Sequence, residues 1–177
     1  SFDKFMHKVG QELKLAGYQA AVTFKSENTV QNAMVKFEGL LFEAKLSPLK
    51  AQKFSIKIEI DTKPPAGAVL KTELVNKYFP ISFLSYDTAS LFAGKLHAIL
   101  SRKYAKGRDY FDLGWYLSRW KGIEPNFEFL NNALKQTGWN GLEITNDNWR
   151  KETALRVSQF DWDKVVSLDH KLEVFLQ

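Results

Sequence analysis

The stretch FSIKIEID, Phe54 to Asp61, alternates without a break: Phe54, Ile56, Ile58 and Ile60 fall on one side, Ser55, Lys57, Glu59 and Asp61 on the other. A period of two over eight residues is that of a half-buried β-strand, and Pro64-Pro65 stops it because neither residue offers an N–H to a neighbouring strand. The chain must therefore build a sheet whose apolar face needs a cover. Phe2 to Leu15 supplies one, placing Phe2, Phe5, Met6, Val9, Leu13 and Ala16 at helical spacing with Gly17 as a C-cap. Tyr18 to Phe24 alternates as a strand, Ser26 to Thr29 is turn-like, and Ala33 to Leu46 reads as extended, a hairpin or bent strand interrupted at Gly39. Ser47 to Gln52 is a loop, and Val69 to Val75 and Ile81 to Leu84 read as two short strands around Pro80.

After Asp87 the pattern changes from strands to helices. Asp87 is placed to N-cap a helix reaching about Arg102; Lys106-Gly107 forms a turn. Further helices are predicted over Asp109 to Trp120, Phe127 to Gln136, Asp147 to Val157 and Asp161 to Leu176. The expected fold is α+β: a small mixed or antiparallel sheet with a flanking helix over residues 1–86, followed by a helical region over 87–177.

The sequence has 177 residues, 45% of them hydrophobic, with 14 Phe and 5 Trp, which is a globular composition able to bury a core. Cysteine is absent, which excludes disulfides, thiolate metal sites and a Cys nucleophile, and is compatible with a reducing cytoplasm. No apolar run is long enough to cross a bilayer, and the N-terminus has no signal-peptide core. The chain starts inside a helical pattern without an initiator Met, which suggests trimming. A net charge of +5 favours phosphate-bearing partners without specifying one.

Chemistry concentrates between Lys57 and Asp112. Glu59 and Asp61 share one face of a strand, where they need solvent, a basic partner or a metal; Lys57 pairing with Glu59 is the plain structural explanation. In LFAGKLHAIL, Lys95 lies among Leu91, Phe92, Leu96, Ile99 and Leu100. An ammonium there must either snorkel to the helix edge or find an anion such as a phosphate. Lys95, Arg102, Lys103, Lys106 and Arg108 follow Asp87 with no acid among them, and Asp109 and Asp112 come next, one turn apart at a helix start. N-capping by Asp109 and a surface i, i+3 pair would account for the two aspartates structurally. The three His are scattered and no zinc spacing or Gly-rich phosphate loop occurs.

In order and spacing, the strand FSIKIEIDTKPP, the helix LFAGKLHAIL and RDYFDL with its basic approach resemble the AbiEii/AbiGii-type nucleotidyltransferase toxins, a branch of the DNA polymerase β-like superfamily. The resemblance implies transfer of a nucleotidyl group from an NTP with Mg²⁺, typically onto RNA such as the tRNA acceptor end. It also implies a toxin restrained by a co-encoded antitoxin, in a toxin–antitoxin or phage-defence setting. By position, Glu59 or Asp61 would supply the later metal-binding carboxylate. Lys95 would neutralise triphosphate charge, and Asp109 would orient the lysine or contact the nucleotide. Arg102, Lys106 and Arg108 would meet phosphates, and Asp112 is read as structural. The family's first motif, a Gly-rich turn with Ser or Thr followed by an Asp-x-Asp strand, has no counterpart here. It is expected upstream of Ser1, and this chain alone is expected to be inactive.

Two other readings compete. One is a non-enzymatic RNA-binding module stacking bases on Trp115, Tyr116 and Trp120; helix packing explains the same aromatics. The other is an antitoxin-docking surface built on Trp139, Trp149 and Trp162.

Overall fold

The computed structural model describes residues 1–104 and 106–159. The helix expected over Asp161 to Leu176, with Trp162 and His170, lies outside the described residues. By contacts the chain forms two compact units, Ser1–Pro64 and the chain from Pro65 onward. The change from strands to helices near Tyr86 thus falls inside the second.

In the first unit, α1 (Phe2–Leu15) precedes β1 (Ala20–Lys25), β2 (Val30–Phe37), a one-turn helix α2 (Leu40–Glu43) and β3 (Phe54–Asp61). The strands form an antiparallel sheet in the order β1-β2-β3, with Val22 opposite Val35 and Ile56 in turn opposite Val35. Phe2 and Met6 of α1 pack on Ala33, Val35 and Phe37 of β2, with Ile58 at the margin, so the alternating apolar face is the core face. Its cover stops short of β3, where Phe54, Ile56 and Ile60 stay exposed. The extended reading of Ala33 to Leu46 is corrected beyond Phe37. Gly39 takes a left-handed φ of 72° that an L side chain adopts only with strain, and it turns the chain into α2.

In the second unit, β4 (Leu70–Asn76) and β5 (Pro80–Tyr86) form an antiparallel ribbon, followed by α3 (Thr88–Ser101), α4 (Gly107–Arg119), α5 (Phe127–Gln136) and α6 (Trp149–Ser158). As expected, Asp87 caps α3: its carboxylate accepts the Ser90 N–H at 2.8 Å, a contact of a kind that stabilises a helix start by about 1 kcal/mol. The buried Ser90 Oγ accepts the Val69 N–H at 3.0 Å and an Asn126 Nδ2 proton at 3.1 Å, while Asn126 Oδ1 caps α5 at the Phe129 N–H. Through these two side chains the ribbon is tied to α3 and α5. Asn126 Nδ2 also donates to the carbonyl of Gly67, whose left-handed φ of 92° strains any L side chain, and where a Cβ would also crowd Glu128 Cγ at 2.8 Å and the Phe129 backbone N at 3.1 Å.

Helix α3 is the hub, touching α4, α5 and α6. Its Phe92, Leu96 and Leu100 join Tyr116, Phe129, Leu130, Leu134, Ile144 and Trp149 in one buried cluster. Trp149 is only 1% exposed, with Phe92 edge-on against it at 5.6 Å. Trp139 packs partly buried on the same core. These two tryptophans hold the helices together, so the antitoxin-docking role expected for them is not available to Trp149.

Candidate functional site

The α3–turn–α4 segment gathers most of the expected site residues. Lys95 stands in the middle of α3 with Phe92, Leu96 and Ile99 buried beside it, and its ammonium turns to α4, where Nζ lies 2.5 Å from Asp112 Oδ2. The side chains are 38% and 31% exposed, so the lysine has both a fixed anion and open solvent on its other side. A phosphate oxygen can approach an ammonium in that position without unburying anything.

Seven residues on, Arg102 ends α3 in an extended conformation, and its guanidinium pairs with Asp109 Oδ2. Asp109 is 3% exposed and sits in the first turn of α4, where the helix dipole adds to the guanidinium in favouring its charge. Burial, and then the nearby Arg108, lower the pKa of Arg102. The Arg102 carbonyl in turn accepts Arg156 Nη2 at 2.5 Å, so α6 also braces this corner. Beside it, burial pushes the Tyr110 hydroxyl up to about 12 against the opposing pull of Arg156, which keeps the phenol neutral at ordinary pH.

This pairing differs from the sequence expectation in two respects. Asp109 does not cap α4, which starts two residues earlier at Gly107 with Lys106 as its N-cap. Nor does Asp109 orient Lys95: it is engaged with Arg102, and Asp112, read from sequence as structural, is the carboxylate on the lysine. A lysine buried to its stem in an apolar helix signals that some anion must be near. Two aspartates one turn apart were on offer, and the path of the turn between the helices decides which one meets it.

Arg102 is committed to Asp109, whereas Lys106 and Arg108 are exposed or nearly so at the start of α4 and make no ion pair among the described residues. His97 bonds Thr137 Oγ1 at 3.0 Å across to the end of α5, and burial, then Arg102, hold its pKa down. It is a packing residue and makes no ion pair among the described residues.

Glu59 and Asp61 lie in the other unit, on the exposed polar face of β3. Glu59 Oε1 is 2.6 Å from Lys57 Nζ, and Asp61 Oδ1 accepts the Lys63 N–H at 2.9 Å. No group of three His, Asp or Glu able to hold a metal occurs among the described residues. Two carboxylates, one of them neutralised by its neighbour, do not on their own fit Mg²⁺, which takes octahedral oxygen ligation. An Asp-x-Asp spacing does exist at Asp161 and Asp163, with no Gly-rich turn before it and outside the described residues.

The site is thus a lysine of α3 paired with a carboxylate of α4, with Lys106 and Arg108 exposed at the start of α4. The family model for the nucleotidyl transferase AbiEii toxin of type IV toxin–antitoxin systems matches residues 2–171, and the chain belongs to this family. No curated protein and no solved structure matches it. No helix among the described residues is long and apolar enough to cross a membrane.

Proposed function

We propose that this chain carries the triphosphate-binding half of a nucleotidyl-transfer site, acting in a toxin–antitoxin system on RNA, with a tRNA end as acceptor. The observation that supports it best is the Lys95–Asp112 pair: a lysine with an apolar stem, oriented by a carboxylate and open to solvent. Lys95 would neutralise charge on the triphosphate, with Arg108 and Lys106 as outer phosphate contacts. Arg102 and Asp109 would hold the turn in shape. Transfer is expected to need Mg²⁺, and the two β3 carboxylates do not fit it alone. On the carboxylates of the described residues alone, we read this chain by itself as a binder of NTP that does not transfer, functioning in the cytoplasm under a cognate antitoxin.

The test incubates the chain with α-labelled NTPs and tRNA, with and without Mg²⁺, alongside equilibrium NTP binding. The expected outcome is salt-sensitive binding of NTP without labelled RNA. Labelled RNA would overturn the inactivity, and absence of NTP binding would overturn the reading itself.

A further inference from the structure

Helix α4 turns its inner side, with Asp109 and Tyr116, to the core, and its outer side is unlike an ordinary solvated face. Phe111 is 75% exposed and Trp115 is 46% exposed, one turn apart. Arg108 and Arg119 stand at the two ends of the same row, both exposed and without an ion pair among the described residues. At 3.6 residues per turn, Arg108, Phe111, Trp115 and Arg119 fall within about 80° of arc. The side of the row is open. Gly114 presents no side chain and nothing lies within 4 Å of where its Cβ would be, and Ser118 is small. Trp115 is braced edge-on by Trp120 at 4.8 Å and by Tyr116 at 5.2 Å, which fixes its indole, while Phe111 makes no ring contact among the described residues. Asp112, the partner of Lys95 of α3, lies on the adjoining strip of α4.

Two exposed aromatic rings a helical turn apart, flanked by exposed arginines, fit a single-stranded polynucleotide. Bases stack on rings whatever their sequence, and arginines meet the phosphates between them. Aromatic rings and arginines also occur in protein–protein interfaces; what favours a polynucleotide here is a row with a cation at each end, no acid within it, and rings spaced one helical turn apart for stacking. We propose that the outer face of α4 is the acceptor-strand platform: a single-stranded RNA end stacks on Phe111 and Trp115, with Arg119 holding its phosphate at the far end and Arg108 at the end nearest the basic turn. The location differs from the sequence expectation, because Tyr116 is buried against Phe92 and takes no part, and Phe111, not among the aromatics the sequence singles out, is the most exposed ring of α4. The inference rests on the nucleotidyl-transfer reading for the identity of the strand as an acceptor.

The experiment is fluorescence anisotropy of a labelled single-stranded RNA of about eight nucleotides, a length suited to one binding platform, on the whole chain and on Phe111→Leu, Trp115→Phe and Arg119→Gln, with NTP binding measured in parallel. Phe111→Leu keeps apolar bulk and removes the ring, so it should weaken RNA about tenfold, while Trp115→Phe, still aromatic, should stay close to the parent protein. Arg119→Gln should weaken binding and flatten its salt dependence. NTP affinity should be unchanged in all three. RNA binding indifferent to Phe111→Leu and Arg119→Gln would overturn the platform, as would loss of self-association or of antitoxin binding in Phe111→Leu with RNA binding intact. Failure of NTP binding by the parent chain, with these RNA effects present, would instead strike the nucleotidyl-transfer reading.

Discussion

Lys95 Nζ and Asp112 Oδ2 stand 2.5 Å apart and join the middle of α3 to the second turn of α4. The pair is partly solvated, so its worth to folding is small, below about 1 kcal/mol, and its effect is on where the ammonium points. An anionic ligand of Lys95 meets Asp112 as a competitor for the same charge.

Asp112→Asn therefore separates these two effects. It should lower stability by less than about 1 kcal/mol in urea denaturation, and triphosphate affinity measured by calorimetry should hold or rise. A loss of affinity as large as that from removing Lys95 would mean that the carboxylate's orienting role outweighs its competition.

Asp109→Asn should behave in the opposite way. Its carboxylate is buried against Arg102, and removing one partner leaves a half-buried guanidinium without its anion. We expect a loss of about 2–3 kcal/mol in chemical denaturation. A variant as stable as the parent chain would show that the corner is held by Arg156 and the helix core instead.

The His97 ring gives a pH signature. Burial, and then Arg102, lower its folded-state pKa below the ordinary 6.5, so the unfolded chain binds the proton more readily. Its contribution is therefore neutral above that value. As pH falls through it toward the lower folded pKa, stability is lost. In urea denaturation across pH 7.5 to 5, a range chosen about the ordinary histidine value, His97→Gln should show a shallower decline than the parent. An equal slope in both would assign the acid sensitivity to other groups.

Much of this was readable in the sequence because it rests on short-range rules. The alternation of β3, the Asp87 cap and the apolar side of α3 each depend on neighbours within a few residues, and each stands where the pattern puts it. Gly39 reads as an interruption in the sequence, although a single glycine does not say whether the chain then continues as a strand or as a helical turn. The site was legible as a set of residues and not as a set of pairs. Lys95, Arg102, Asp109 and Asp112 all stand out in the sequence, but which cation meets which carboxylate depends on how α4 packs against α3. No local pattern fixes that. Exposure was equally out of reach: Phe111 and Tyr116 are both aromatic residues of α4, and only the packing of Tyr116 on Phe92 tells the surface ring from the core ring.

The central claim is that Lys95 is the triphosphate anchor, and equilibrium binding of NTP to Lys95→Met tests it most directly. Methionine keeps the apolar stem that packs beside Phe92 and Leu96 and removes the charge, so the fold should be retained, as near-unchanged urea denaturation would verify. Losing a charge-assisted phosphate contact is worth about 1.5–3 kcal/mol. The account therefore predicts an affinity at least about tenfold weaker, with reduced salt dependence. Parent-like NTP affinity in a folded Lys95→Met protein would contradict it.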